Sequence, residues 1–593
     1  MTAVIDPRSG DVEDDASSTR RHSLLSLAGS LLAEISLPKL AVAWTLLIGL
    51  PALALGLAPL VVSLWFATLS TKAATVLSGA GSVMLLAAVL VAGWYGGRRL
   101  LPIAERSFWS LNALAVQPAY AFVRELLRHL VEKALPGRVG ADTRATVRAT
   151  TAALAGVVVC VPTLWLITAV WPSTRWIGTA ADLASPWSLV GVAVANSTVV
   201  VAAYFAAAAL AWGIADATMG QPRTIADFPA ATPGRRRWRI AHLSDIHIVG
   251  EQYGFRIECG RAGPRGNDRL QRVFAQLDLI HASEPLDAVL VSGDVTDAGR
   301  SAEWAVFFDT LAAHPRLAER VLILPGNHDV NVVDRANPAR LDLPFSPNKR
   351  LRQARMISAM AAVQGSRVRV MDAASKDLGP TLDEALQPHR DTIEIFADTG
   401  SLRLARDVAA LWAGLFPMVL PPDTADGLGI VVLNSNADTH FSFTNALGLV
   451  STEHMGAVTR ACADYPNASW LIALHHHMVE YPMPAKQFSE RVGTALVNGS
   501  WFVRRLQQIV PGAVVMHGHR HIDWIGEIGC LQIVSAPSPV MEATNDCTTH
   551  FYVHVLEAGP DRLHLLEPQR IDVAGVDAAE SDRTARLVAG IGA

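Results

Sequence analysis

Cysteine is scarce in this chain and shows no pairing pattern. Five cysteines, Cys160, Cys259, Cys462, Cys530 and Cys547, are spread over 593 residues, and none stands in a C-x-x-C pair. An odd number without that spacing argues against a disulfide scaffold and for a reducing compartment. Charge is scarce too, at 18% of residues, against roughly 25% in ordinary soluble proteins. The net charge of −4 gives no basic field for nucleic acid, so no specific nucleic-acid partner is expected. The first 22 residues hold no apolar run behind a basic start. That argues against a cleaved signal peptide, and residues 1–36 read as a disordered, cytosolic tail.

The missing charge is concentrated in one region. Four segments, roughly 40–68, 73–97, 149–172 and 187–214, lack Asp, Glu, Lys and Arg over the roughly 20 residues that a spanning helix needs. They predict a membrane domain over 37–215 with about four transmembrane helices. Pro51 and Pro59 in the first segment are tolerable where neighbouring helices satisfy the freed backbone groups. The connection 98–148 carries Arg98, Arg99, Arg106, Arg124, Arg128, Lys133, Arg138, Arg144 and Arg148, whereas the other two carry little beyond Lys72 and Arg175. Basic loops stay in the cytosol, so 98–148 is expected to be a cytosolic loop and both termini cytosolic. Within it, Phe122, Leu126, Leu127, Leu130 and Val131 recur at helical spacing over Ala119–Leu135. This amphipathic helix would lie on an anionic leaflet or pack on the C-terminal half. The spans hold no internal charge, which favours an anchor over a transporter; interhelical packing accounts for Asn196, Ser197 and Thr198.

After a linker at 216–235 the composition changes. Strand-like runs at 237–243, 287–292, 320–325, 429–434, 469–474 and 513–517 alternate with helical patterns near 267–283, 300–315, 452–464 and 487–509. Asn267 is the expected N-cap of the first of these helices. The alternation predicts an α/β layered domain over 236–570, followed by a C-terminal tail at 571–593. The stretch 331–428 is long for a connection and reads as a cap-like insertion. It carries Lys349, Arg350, Arg352 and Arg355 on a helix whose charged face is expected in solvent, the alternative being that it receives a phosphate or an anionic membrane. The loop with Arg256, Arg261 and Arg265 is read in the same way, and Trp304, Trp412 and Trp470 are expected in the core.

Five short motifs carry the chemistry: Asp245-Ile246-His247, Gly293-Asp294, Gly326-Asn327-His328-Asp329, His475-His476-His477 and Gly518-His519-Arg520-His521. Three directly follow the apolar runs Ile240–Leu243, Ala288–Val291 and Val321–Leu324, and in α/β sheets sites gather beyond the carboxyl ends of strands. Carboxylate, imidazole and one amide oxygen form a mixed set suited to two borderline divalent ions. Such a pair clamps a phosphate ester and activates water. Asp294 would bridge the ions, and His328 stands where it could protonate a leaving alkoxide.

In that order the motifs resemble the calcineurin-like metallophosphoesterase superfamily, over roughly 236–570. The resemblance implies a four-layer αββα sandwich, so the whole chain is expected to be an α-helical membrane region followed by an α/β domain. It implies two divalent metal ions, Mn, Fe or Zn, with Asp245, His247 and His521 on one, Asn327, His475 and His519 on the other, and Asp294 between them. His328 would contact the phosphate and assist the leaving group, and Asp329 would orient its neighbours. With three histidines in a row, His476 stays open beside His475 as the ligand; His517 is expected to be buried or behind the ligands. The function implied is a membrane-anchored, cytosol-facing phosphoesterase acting by in-line attack of a metal-held hydroxide. Diesters are preferred over monoesters, with a phosphate-ester substrate and the lipid bilayer as partners. The rival readings are a phosphomonoesterase or pyrophosphohydrolase on a lipid-linked substrate, and a membrane sensor that binds without turnover.

Overall fold

The computed structural model describes residues 37–76, 112–134, 141–179, 181–182, 185–250, 267–331, 341–343, 346–372, 377–440, 442–482, 496–540, 548–560 and 562–574. Outside them lie most of the expected span at 73–97, the tail 1–36, most of the tail 571–593, and the loop with Arg256, Arg261 and Arg265. The chain divides into two compact units, Ser36–Met219 and a second beginning at Gly220.

In the first unit α1 (Leu37–Trp44) passes through a π turn (Thr45–Gly49) into α2 (Leu50–Val76), followed by α3 (Gln117–Ala134), α4 (Ala141–Val170) and α5 (Leu189–Ala217). Among the described residues, three helices are long and apolar enough to cross a membrane, over Leu50–Ala67, Ala145–Ser173 and Leu189–Ala217. They coincide with three of the four charge-free segments. Small residues bring their backbones together: a Cβ on Gly156 would stand 2.7 Å from the Ala209 carbonyl oxygen, and one on Gly56 would overlap that of Ala193. The expected amphipathic helix is α3, which packs on α4 and α5. Its Tyr120 hydroxyl donates to Asp216 Oδ2 (3.0 Å) and Arg124 Nη1 pairs with the same oxygen (2.7 Å). Phe122, Leu126 and Leu130 stay exposed. The expected loop 98–148 is therefore largely helical where it is described.

The second unit is a two-sheet α/β sandwich. In the smaller sheet β2 (Arg237–Leu243), β3 (Ala288–Val291) and β4 (Val321–Ile323) run parallel. Antiparallel β13 (Thr549–Ala558) lies beside β2 and pairs with β14 (Leu563–Leu565) and β15 (Gln569–Val573). The larger sheet has nine strands in the order β1-β11-β12-β10-β9-β8-β7-β5-β6. Its parallel centre is β8 (Leu428–Val432), β9 (Ser469–Ala473), β10 (Val514–His517) and β12 (Leu531–Ser535). Period-two alternation sorts its side chains: Ile430, Leu471, Ala473, Val514 and Met516 join a core shared with Ile240, Leu290 and Leu322 of the smaller sheet. Buried Val431, Ile472 and Val515 are outside that cluster, on the face that the crossover helices Thr452–Asp464 and Gly499–Ile509 cover. Helices Asp268–Ser283 and Ser301–Ala313 connect β2, β3 and β4 in turn. Trp304, Trp412 and Trp470 are buried, as expected.

Several boundaries differ from those expected. The linker 216–235 contributes β1 (Arg223–Thr224), which pairs with β11 (Trp524–Ile528), and the tail begins only after β15. The insertion 331–428 gives β5 (Arg369–Met371), β6 (Leu378–Thr381) and β7 (Met418–Leu420) to one edge of the larger sheet, so it is built into the sandwich. Its basic helix, α6 (Pro347–Gln364), buries Lys349, Arg352 and Arg355. Lys349 Nζ pairs with Asp438 and donates to the Thr439 carbonyl, and Arg355 donates to the Gly299 carbonyl (3.4 Å). The solvated face was read from charge alone, and charge does not report what packs on a helix. Asn267 does occupy the N-cap position, but its side chain bonds the backbone of Val249 on both sides (3.2 and 2.8 Å) and leaves the helix uncapped.

Candidate metal centre

The singled-out residues stand at or just after the ends of parallel strands. Asp245 and His247 follow β2, Asp294 follows β3, Asn327 and His328 follow β4, His475 follows β9, and His519 and His521 follow β10. Five non-glycine residues among those described have positive φ: Asp245 (55°), His247 (43°), Asp294 (51°), His519 (78°) and His521 (51°). All five belong to the motifs. Each left-handed residue costs on the order of 1–3 kcal/mol, so packing holds these loops against their own preference. Gly326 and Gly518 allow the close approach. A Cβ on Gly326 would overlap the backbone and carboxylate of Asp294, and one on Gly518 would overlap Ser244 and Asp245.

Two groups result. In one, His521 Nε2 lies 3.3 Å and His247 Nε2 4.0 Å from Asp245 Oδ1. In the other, His475 Nε2 lies 3.1 Å from Asn327 Oδ1, 3.1 Å from His519 Nδ1 and 3.4 Å from Asp294 Oδ2. The Asp294 Oδ2 atom also stands 3.7 Å from His247 Nε2, which sets this carboxylate between the groups. Its Oδ1 accepts from the His328 backbone N–H (2.8 Å). Asp245-His247-His521 and Asp294-His475-His519 are each close enough to hold a metal ion.

The donor chemistry fits a cation. His475 Nδ1 donates to the Ser292 carbonyl (2.9 Å), so Nε2 is left as an acceptor facing an amide oxygen and a carboxylate. His519 Nδ1 can offer at most one proton to these acceptors, and buried acceptors that outnumber their donors are costly. A metal ion resolves the conflict, and in its absence a proton does. Burial opposes the charged imidazolium of His475, but the Asp294 carboxylate outweighs it and raises the group to about 9. Asp294 answers in kind: burial pushes its carboxyl up, yet His475, His328 and His247 hold it well below the usual range.

His476 points elsewhere, its Nδ1 on the Ser435 hydroxyl (2.9 Å), and burial drives it toward the neutral form. His517 is fully buried, with its Nδ1 on the Gly518 carbonyl (3.2 Å). Asp329 touches no imidazole in the motif set. Its carboxylate accepts from the N–H groups of Val295, Thr296 and Gly326 (3.3, 2.8 and 2.9 Å) and the Thr296 hydroxyl (2.7 Å), tying two ligand loops together.

Asp297 was not anticipated from the sequence. Its Oδ1 lies 3.4 Å from His247 Nδ1 and 3.8 Å from His328 Nδ1, and its carbonyl accepts from His328 Nδ1 (2.7 Å). The Asp297 carbonyl thus fixes the tautomer of His328, and its carboxylate stands beside the Nδ1 edge of His247. The only available signal was its place three residues after Asp294, in Gly293-Asp294-Val295-Thr296-Asp297.

Residues 239–375 match the family model described as calcineurin-like phosphoesterase. A curated glycerophosphodiester phosphodiesterase, GpdQ of Enterobacter lignolyticus, is 36% identical over 94 residues, 15% of this chain and 29% of that protein. The match thus spans under a third of the relative. Among solved structures, a dimetal phosphatase from Danio rerio aligns at 12% identity and TM-score 0.32, covering 57% of this chain and 99% of that one. A purple acid phosphatase from yellow lupin seeds aligns at 12% identity and TM-score 0.26, covering 55% and 50%.

Proposed function

We propose that the chain, whose residues 239–375 match the calcineurin-like phosphoesterase family model, is a membrane-anchored, metal-dependent phosphodiesterase whose catalytic unit faces the cytosol. The observation that carries the chemistry is Asp294 Oδ2, shared between His247 and His475 of two imidazole–carboxylate groups. Two divalent cations bound there would polarise a phosphoryl oxygen and lower the pKa of water. Asp245, His247 and His521 would hold one, Asn327, His475 and His519 the other, and Asp294 both. His328 keeps its Nδ1 on the Asp297 carbonyl, so a proton for the leaving alkoxide would be carried at Nε2.

The diester preference draws on the 36% identity to a relative named for a glycerophosphodiester. Anchoring is supported by the three helices long enough to span a bilayer, and the cytosolic orientation by the basic residues of 98–148 and by Arg223, Arg235, Arg236, Arg237 and Arg239 after α5.

The test is hydrolysis of a nitrophenyl phosphodiester and the matching monoester by detergent-purified protein with Mn, Fe or Zn. Asp294→Asn is run beside it, and a C-terminal reporter fusion reads topology. Diester turnover that falls roughly 10³-fold or more in Asp294→Asn, with metal content reduced, is expected. Turnover retained in the variant would reject the shared-carboxylate assignment. Monoester preference would reject the diesterase reading, and a reporter signal from outside the cytosol would reject the orientation.

A further inference from the structure

We propose that the described residues of the turn joining α4 to α5 (171–179, 181–182 and 185–188) form with Trp65 and Phe66 of α2 an aromatic belt seated in the headgroup layer of a lipid bilayer. The end of α2 beyond the belt then stands in the adjoining water. The inference rests on the membrane-spanning reading above and adds to it where the hydrocarbon stops.

The belt residues come from separate segments, yet hydrogen bonds tie those segments together at the same end of the helices. The Gly178 N–H donates to Ser63 Oγ (2.8 Å), fixing the turn against α2 half a helical turn before Trp65. Asn196 of α5 grips both neighbours, its Nδ2 donating to the Gly56 carbonyl (3.0 Å) and the Arg175 carbonyl (2.6 Å), while its Oδ1 accepts from the Arg175 N–H (3.0 Å). Around this knot the large rings point outward. Trp187 is 87% exposed, and Trp65, Phe66, Trp171 and Ile177 are each more than half exposed. The accompanying charges are paired, Arg175 Nη2 to Asp182 Oδ1 at 2.6 Å.

Lipid is the occupant that this arrangement fits. The turn is flanked by two helices that can each cross the hydrocarbon, so it must lie where the hydrocarbon ends. Indole, apolar over its body and polar at its N–H, favours that boundary. The apolar window of α2 ends at Ala67 while the helix continues, reaching Lys72 about 8 Å further on at 1.5 Å per residue, just before the charge-free segment expected from residue 73. That last stretch carries Ser70, Thr71 and Lys72.

The experiment uses full-length protein in phosphatidylcholine liposomes brominated either near the headgroup or near the chain ends, read by tryptophan emission. Shallow bromine is expected to quench more than deep bromine, and that excess should fall by about half in Trp171→Phe/Trp187→Phe. A second readout labels cysteine variants with an impermeant maleimide. Ser70→Cys should react several-fold faster than Val157→Cys, a position exposed on α4 within its apolar window, with the unmodified chain as background. An unchanged shallow excess in the double variant would overturn the belt, as would equal protection of Ser70→Cys and Val157→Cys. Release of the protein by alkaline carbonate, with no quenching at either depth, would overturn the membrane-spanning reading itself. Firm retention without shallow quenching would overturn the belt alone.

Discussion

Both units bury polar side chains, and Asn196 of the helical unit and His475 of the α/β unit meet opposite outcomes. Asn196, fully buried, has its donors on two carbonyls and its acceptor on an N–H. Nothing is left for a ligand to do. His475, equally buried, turns a ring nitrogen toward an amide oxygen, another imidazole and a carboxylate, where no arrangement of its neighbours supplies the missing positive charge. Buried polarity that closes on itself is structural, and buried polarity that converges without closing marks a place for a cation.

Three changes would break or sharpen that contrast, beyond the loss expected for Asp294→Asn. Asp297→Asn keeps the shape but weakens the support behind His247 and His328, and should lower metal affinity and turnover by about 10–100-fold. Metal titration beside kcat would measure it, and an effect under twofold would show that the two imidazoles do not depend on this carboxylate.

The second change is pH. His475, raised to about 9 in the metal-free protein, carries a proton at neutral pH that a metal must displace. Metal affinity should therefore rise about tenfold per pH unit from 7 toward 9 and level off above. The linkage in the metal-free fold has the opposite sign. A folded pKa above the unfolded value of about 6.5 stabilises fully below that value, and the contribution is lost as pH rises through about 9. Isothermal titration in buffers of differing ionisation enthalpy would count the released proton, and none released at pH 7 would sink the assignment.

The smallest effect is expected from Asn196→Leu, which should destabilise the helix bundle by about 0.6–1.7 kcal/mol and leave phosphodiester turnover unchanged. A larger effect on turnover than on detergent-melting temperature would contradict the purely structural role of this residue.

The sequence made the sandwich and its motif residues legible for a simple reason. Parallel strands end abruptly, and a metal-ligand residue type after an apolar run reads locally, as at Ala288–Val291 before Asp294. What stayed hidden depends on partners distant in sequence. Asp297 looks like any loop carboxylate until β3 is laid beside β2 and brings it to His247. Lys349, Arg352 and Arg355 form a plausible solvent stripe until β4 and the Gly299 turn are packed against them. Residues 369–371, 378–381 and 418–420 are strands too short to declare themselves. Asn267 has the chemistry of a helix cap, but a nearer backbone, that of Val249, takes both of its polar atoms.

The left-handed residues of the motif loops have a consequence for heredity. Asp245, His247, Asp294, His519 and His521 are places where a change to glycine would relax the backbone. Asp245 and Asp294 also hold the N–H groups of His519 and His328, so random mutation screened only for heat resistance should favour glycine first at the histidine positions, yielding sturdier chains that bind metal less well. Retention of His247, His519 and His521 in a lineage would be the footprint of selection for chemistry rather than for folding.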